Sequence, residues 1–177
     1  MEQSTNRADE SAPIHVDLAE RPLGEVIGSI ASELIAPGAG AAGAVALALA
    51  AACAEKAAAI TLKRADERQH VDPGLRGARD RLADIRGRAL RGAEVDASRF
   101  EDFVRAHDAE SAERLVDSGE WLKRLAAELD RVLGELEGRV DRVVASDITA
   151  AQALRNAFAA IQRTNLDENR RAADALK

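Results

Sequence analysis

From Leu34 to Ala54 the chain runs 21 residues without a charge. That length would cross a bilayer, but the content is wrong for a membrane span. Alanine and glycine dominate, Pro37 sits near the start, and only Leu34, Ile35, Val45, Leu47 and Leu49 are strongly apolar. Alanine gains little from transfer into lipid, so the segment reads as a helix buried inside a bundle. On this helix Gly43, Leu47, Ala50, Ala54 and Ala58 share one stripe, which lets a neighbouring backbone approach closely.

Composition extends the same argument. Roughly a fifth of the chain is alanine, the best helix former and a poor strand former, and no stretch alternates with period two. The fold class expected is therefore all-α, an antiparallel bundle of about five or six helices with the alanine-rich second helix buried. With 177 residues the chain suits one domain. Residues 1–16 are polar and unpatterned and are expected to form a flexible tail, leaving residues 17–177 as the helical domain. A first helix is expected from about Pro22 through Leu34, broken by Pro37-Gly38, and the second from about Ala39 to Arg64. A third follows the turn at Asp72-Pro73-Gly74, with a new register beginning at Asp96. A long amphipathic stretch from Leu115 to Val143 has weak points at Gly119, Gly134 and Gly138, and Ser146 or Asp147 is expected to cap the last helix.

Several functions are disfavoured. A net charge of −6 and 2% aromatic residues do not suit a nucleic-acid binder. Cys53 is the one cysteine, and His15, His70 and His107 are scattered, so no metal site is expected. The N-terminal residues lack the basic start and apolar stretch of a secretory signal, and the expected location is the cytoplasm, away from any membrane.

Three features carry candidate chemistry. Gly38-Ala39-Gly40-Ala41-Ala42-Gly43 fits the dinucleotide-binding pattern G-x-G-x-x-G, but residues 29–35 have helical spacing where that fold requires a strand. The glycines open a helix, so they either leave backbone N–H groups free for an anion or make a tight interhelical turn. Asp96 precedes Phe100 in Asp96-Ala97-Ser98-Arg99-Phe100. It is either a helix cap or a carboxyl whose apolar setting raises its pKa for acid–base work. On the last helix Asp147, Ala151, Leu154, Phe158, Ile161, Asn165 and Asn169 fall on one face. Asn165 and Asn169 either present paired amides to a heteroaromatic ligand or form a solvated last turn, and Asp147 is either a cap or a site residue. Asp147 and Asn165 lie 18 residues apart, about 27 Å along one helix, too far for one small site. Cys53 and Trp121 read as packing residues, Trp121 in the core or at a subunit interface, and Lys63-Arg64 and Arg170-Arg171 as solvated helix ends.

Taken in order, these pieces resemble the cyclodeaminase/cyclohydrolase family, which comprises the cyclodeaminase half of formiminotransferase-cyclodeaminase and stand-alone methenyltetrahydrofolate cyclohydrolases. The family's Pro-Gly-Gly-Gly-Ser and alanine-rich helix correspond to Pro37, Gly38, Ala39, Gly40 and Ala41 and the helix behind them, with Thr61 at the family threonine. Its Asp-Ala-x-x-Phe corresponds to Asp96, Ala97 and Phe100, its Ser-Asp pair to Ser146-Asp147, and its Asn-x-x-x-Asn to Asn165 and Asn169. Ala39 and Ala41 stand where the family has a glycine and a serine, and Lys63-Arg64 where it has a Gly-Lys-Lys-like segment.

The resemblance implies a folate-dependent one-carbon enzyme. It would hydrolyse 5,10-methenyltetrahydrofolate, close formiminotetrahydrofolate with loss of ammonia, or pass the one-carbon unit to a specialised metabolite. A tetrahydrofolate derivative would be substrate or donor. Asp96 or Asp147 would move the proton, and residues 37–41, Lys63, Asn165 and Asn169 would bind the folate. A homodimer with a shared site is also implied, and a non-catalytic helical scaffold descended from the family is the alternative.

Overall fold

The computed structural model describes Leu18 and residues 20–67 and 72–177; the expected tail, His15 and His70 lie outside them. The elements are α1 (Leu23–Ile30), α2 (Ala39–Glu67), α3 (Pro73–Ala106), α4 (Ala109–Leu136), a single 3-10 turn (Arg142–Val144) and α5 (Ala145–Asp174). Helices α2 to α5 form an up-down-up-down bundle in which α2 packs on α3 and α5, and α4 closes the ring against both. Side-chain pairs fix the antiparallel registers. Glu55 meets Arg86 at 2.8 Å between α2 and α3, Arg88 meets Glu128 at 2.8 Å between α3 and α4, and Lys56 meets Asp147 at 3.0 Å between α2 and α5. Arg155 and Asp130 pair between α5 and α4.

The alanine-rich helix lies where the sequence places it. Ala41, Ala44, Ala50, Ala51, Ala54, Ala57 and Ala58 are fully buried beside Leu47, and the expected stripe faces the core. Each buried methyl is a small gain, about 0.8 kcal/mol, so stability comes from many close contacts rather than a few large side chains. Lys56 and Lys63 on the same helix are exposed.

Four boundaries differ from the sequence expectation. Helix α1 stops at Ile30 rather than Leu34; just past it Ser32 Oγ donates to Ser29 O and accepts from Leu34 N–H, drawing the chain into turns. Asp72-Pro73-Gly74 starts a helix directly: the Asp72 carboxylate accepts from the N–H groups of Gly74 and Leu75, with Pro73 in the first turn. No new register begins at Asp96, since α3 continues unbroken to Ala106 and keeps Ile85, Ala89, Ala93, Asp96 and Ala97 buried. Neither Ser146 nor Asp147 caps α5. Asp141 instead caps the preceding turn at Val143, while its own N–H donates to Thr61 Oγ1 at 2.9 Å. Gly119 and Gly134 lie inside α4, and Gly138 follows that helix with φ of 69°.

Candidate functional site

The contiguous apolar core ends near Ala41, Ala93, Leu122 and Phe158. The buried polar residues among the described ones, Asp96, Ser111, Ser118, Gln162 and Asn169, all lie at or beyond that level, towards the N-terminus of α2. One end of the bundle is thus sealed by alanine and leucine, and the other encloses polar side chains.

Asp96 is the centre of that polar end. It sits deep within α3, so the cap reading fails, and its carboxyl lies against the backbone of Gly40 in the first turn of α2. A Cβ at position 40 would stand 2.2 Å from Asp96 Oδ2 and 2.5 Å from Oδ1. Only a glycine admits this approach. Asp96 is 5% exposed, and its Oδ1 has no hydrogen-bond partner among the described residues. Burial pushes its pKa up to about 6, against the opposing pull of Arg99. A carboxyl titrating there can hold or release a proton near neutral pH.

The other predicted residues divide between the two ends. Pro37 and Ala41 are buried, Gly38 is half-buried and Ala39 exposed, and the first intrahelical bond of α2 runs from Ala42 N–H to Gly38 O. The earlier N–H groups of that turn have no acceptor within the helix. Gly43 faces Ile161 and Phe158 of α5, so the antiparallel register puts Asn165, one turn further, level with Ala39 and Gly40. Asn165 is half-buried; Asn169 is 8% exposed with its Nδ2 unpartnered among the described residues. Asp147 lies towards the other end with Lys56, 16 residues or about 24 Å along α2 from Gly40, and Lys63 is further still.

Gln162 was missed from the sequence. It is 1% exposed and neither atom of its amide has a partner among the described residues. With Phe158 and Leu166 it forms an i, i+4 stripe that the Phe158–Ile161–Asn165 face obscured. Its amide lies over Gly119 of α4 and lines a groove of about 330 Å³ between α4 and α5. His107 is an exposed left-handed residue ending α3, its ring 5.9 Å from Phe103.

The family model for formiminotransferase-cyclodeaminase matches residues 22–115, which include the glycine turn, the alanine helix and Asp96. The chain belongs to the formiminotransferase-cyclodeaminase family. Its fold is similar to the crystal structure of formiminotetrahydrofolate cyclodeaminase from Thermotoga maritima. The TM-score is 0.78 and the identity 21%, over 87% of this chain and 80% of that one. No curated protein matches the chain by sequence. Within the family assignment, Gly40 and Asp96 both fall inside the matched segment, whereas Gln162, Asn165 and Asn169 lie beyond it.

Proposed function

We propose that this member of the formiminotransferase-cyclodeaminase family acts on a one-carbon adduct of tetrahydrofolate, as a methenyltetrahydrofolate cyclohydrolase or a formiminotetrahydrofolate cyclodeaminase. The observation that carries the reading is the buried Asp96 carboxyl on Gly40, with its pKa near 6. Both reactions pass through an amidine-like carbon. In hydrolysis, water adds to that carbon and gives up a proton, and the C–N bond to one ring nitrogen breaks to leave the formyl group. In cyclodeamination, N10 attacks the formimino carbon, and ammonia departs with a proton. A carboxyl that titrates near 6 serves as base in the first and as acid in the second.

In this reading Asp96 moves the proton, and Pro37, Gly38, Ala39, Gly40 and Ala41 hold the folate at the free N–H groups of α2. Asn165 and Asn169 hydrogen-bond its ring. Asp147 and Lys63 are too far from Asp96 to join it within one subunit. They belong to the same site only in a homodimer that sets one end of a bundle against the other end of its partner. Leu23, Ile27, Leu34 and Ile35, each 58–65% exposed around α1, offer an apolar surface for that contact.

The test is the loss of the near-ultraviolet absorbance of 5,10-methenyltetrahydrofolate with added protein. Faster decay than buffer, abolished by Asp96→Asn, is the expected result. Decay at the buffer rate, with no folate binding by calorimetry, would leave the helical scaffold as the better reading.

A further inference from the structure

A cleft of about 610 Å³ opens between α3 and α4, with Gly92 and Arg99 of its wall one turn either side of Asp96 along α3. That volume is within the range of small-molecule sites. Its walls carry Arg91 and Arg99 from α3 and Trp121 and Arg124 from α4, and Asp117 is its one carboxylate. The chain as a whole carries a net charge of −6, yet this cleft has three guanidinium groups against one carboxylate.

The arginines here are unlike most of their neighbours. Arg81, Arg86 and Arg88 on α3 are each paired with a carboxylate of another helix. Arg91 and Arg124 have no ion pair among the described residues, and Arg99 donates only to the carbonyl of Arg114 at 2.8 Å. Guanidinium groups presented without carboxylates are suited to bidentate capture of an external one.

Trp121 packs closely against α3. A Cβ at Gly92 would come within 2.8 Å of Trp121 Cζ3 and 2.7 Å of Leu122 Cδ2, so the glycine lets the indole lie directly on α3. The Arg88 guanidinium lies over the ring, 5.8 Å from its centroid, and is itself anchored by Asp84 and Glu128. The indole is thus fixed in place while part of it still lines the cleft.

We propose that the α3–α4 cleft binds an aromatic ring that carries a carboxylate, either directly or through a short amide-linked arm, with the ring against Trp121 and the carboxylate held by Arg91 and Arg124. Asp117 on the same wall accepts an N–H from the ring substituent. Two sources share this chemistry: the p-aminobenzoyl-glutamate portion of a folate, which rests on the proposed function, and a free aryl carboxylate, which does not.

The chain contains one tryptophan and no tyrosine, so its intrinsic fluorescence reports this cleft alone. The full chain is titrated with p-aminobenzoyl-glutamate, benzoate, glutarate and inorganic phosphate, with calorimetry as the second readout. A saturable response to the two aromatic ligands is expected, at least tenfold weaker for glutarate and phosphate. Arg91→Ala and Arg124→Ala, both exposed and unpaired, should each weaken binding roughly tenfold with unchanged melting temperature. Competition by intact methenyltetrahydrofolate assigns the site to the folate tail; binding without competition assigns it to a separate aryl carboxylate. No saturable response, wild-type affinity in both arginine variants, or phosphate binding as tightly as the aryl ligands would overturn the proposal. Each of these readouts is independent of turnover, so an inactive protein that binds still supports the cleft, and an active one that does not bind refutes it.

Discussion

The carboxyl of Asp96 rests on the backbone of Gly40, close enough that a single methyl group at position 40 would overlap Oδ2 at 2.2 Å. The packing of α2 on α3 thereby brings the first turn of α2 to a buried, protonatable group.

Gly40→Ala should therefore force the two helices apart or turn Asp96 out of its position. A loss of about 1–3 kcal/mol in denaturant unfolding is expected, as for other overpacked sites. In the Gly40→Ala/Asp96→Ala pair most of that loss should disappear, since the colliding carboxyl is gone. Additive losses in the double variant would show that the contact is not responsible.

The raised pKa of Asp96 predicts a pH dependence of stability. Between pH 3.8, the ordinary carboxylate value, and about 6, the folded state binds the proton more tightly than the unfolded state. The buried carboxyl therefore destabilises the fold progressively as pH rises through this window, by about 3 kcal/mol once above it. Asp96→Asn should melt higher than wild type at pH 7.5 and equal to it near pH 4. An equal difference at both pH values would contradict the assignment.

The Lys56–Asp147 pair joins α2 to α5 at 3.0 Å, but Lys56 is 61% exposed. Removing either partner should cost at most about 1 kcal/mol, and less in high salt. Larger activity losses in Asp147→Asn would point to the shared site. In that case, mixing inactive Asp96→Asn and Asp147→Asn subunits should restore one working site per mixed dimer. No recovery on mixing would place Asp147 outside the chemistry.

Close packing of α2 gives a further expectation. Ala54→Leu adds three carbons to a fully buried position in the alanine core and should destabilise by about 1–3 kcal/mol. Leu at exposed Ala39 should have little effect on the fold.

Much of this arrangement is legible in the sequence, for identifiable reasons. The uncharged alanine-rich run and the Pro37-Gly38 break leave few options for α2, because small residues buried in a bundle require a close neighbour. Asp96 is harder: in isolation Asp96-Ala97-Ser98 looks like a helix start, and only the continuing contact of α3 with α2 keeps it inside a helix. The last helix lacks the expected side-chain cap because it follows a 3-10 turn that Asp141 caps, and Asp141 also bonds Thr61, 80 residues away in sequence, a contact that no local pattern contains. Gln162 is concealed for a related reason. A polar residue in an apolar stripe reads as exposed until Gly119 of α4 is seen beneath it.

If Asp96 is the proton-transfer group of a folate one-carbon reaction, its ionisation must govern the rate. The direct measurement is the rate at which wild type and Asp96→Asn hydrolyse methenyltetrahydrofolate, or form it from formiminotetrahydrofolate, as a function of pH. A rate above buffer with a limb near pH 6 is expected, with a drop of roughly 10²–10⁴-fold in Asp96→Asn, a variant that folds more stably than wild type at neutral pH. A wild-type rate no greater than buffer, or an Asp96→Asn variant that keeps the wild-type rate and pH profile, would contradict that role.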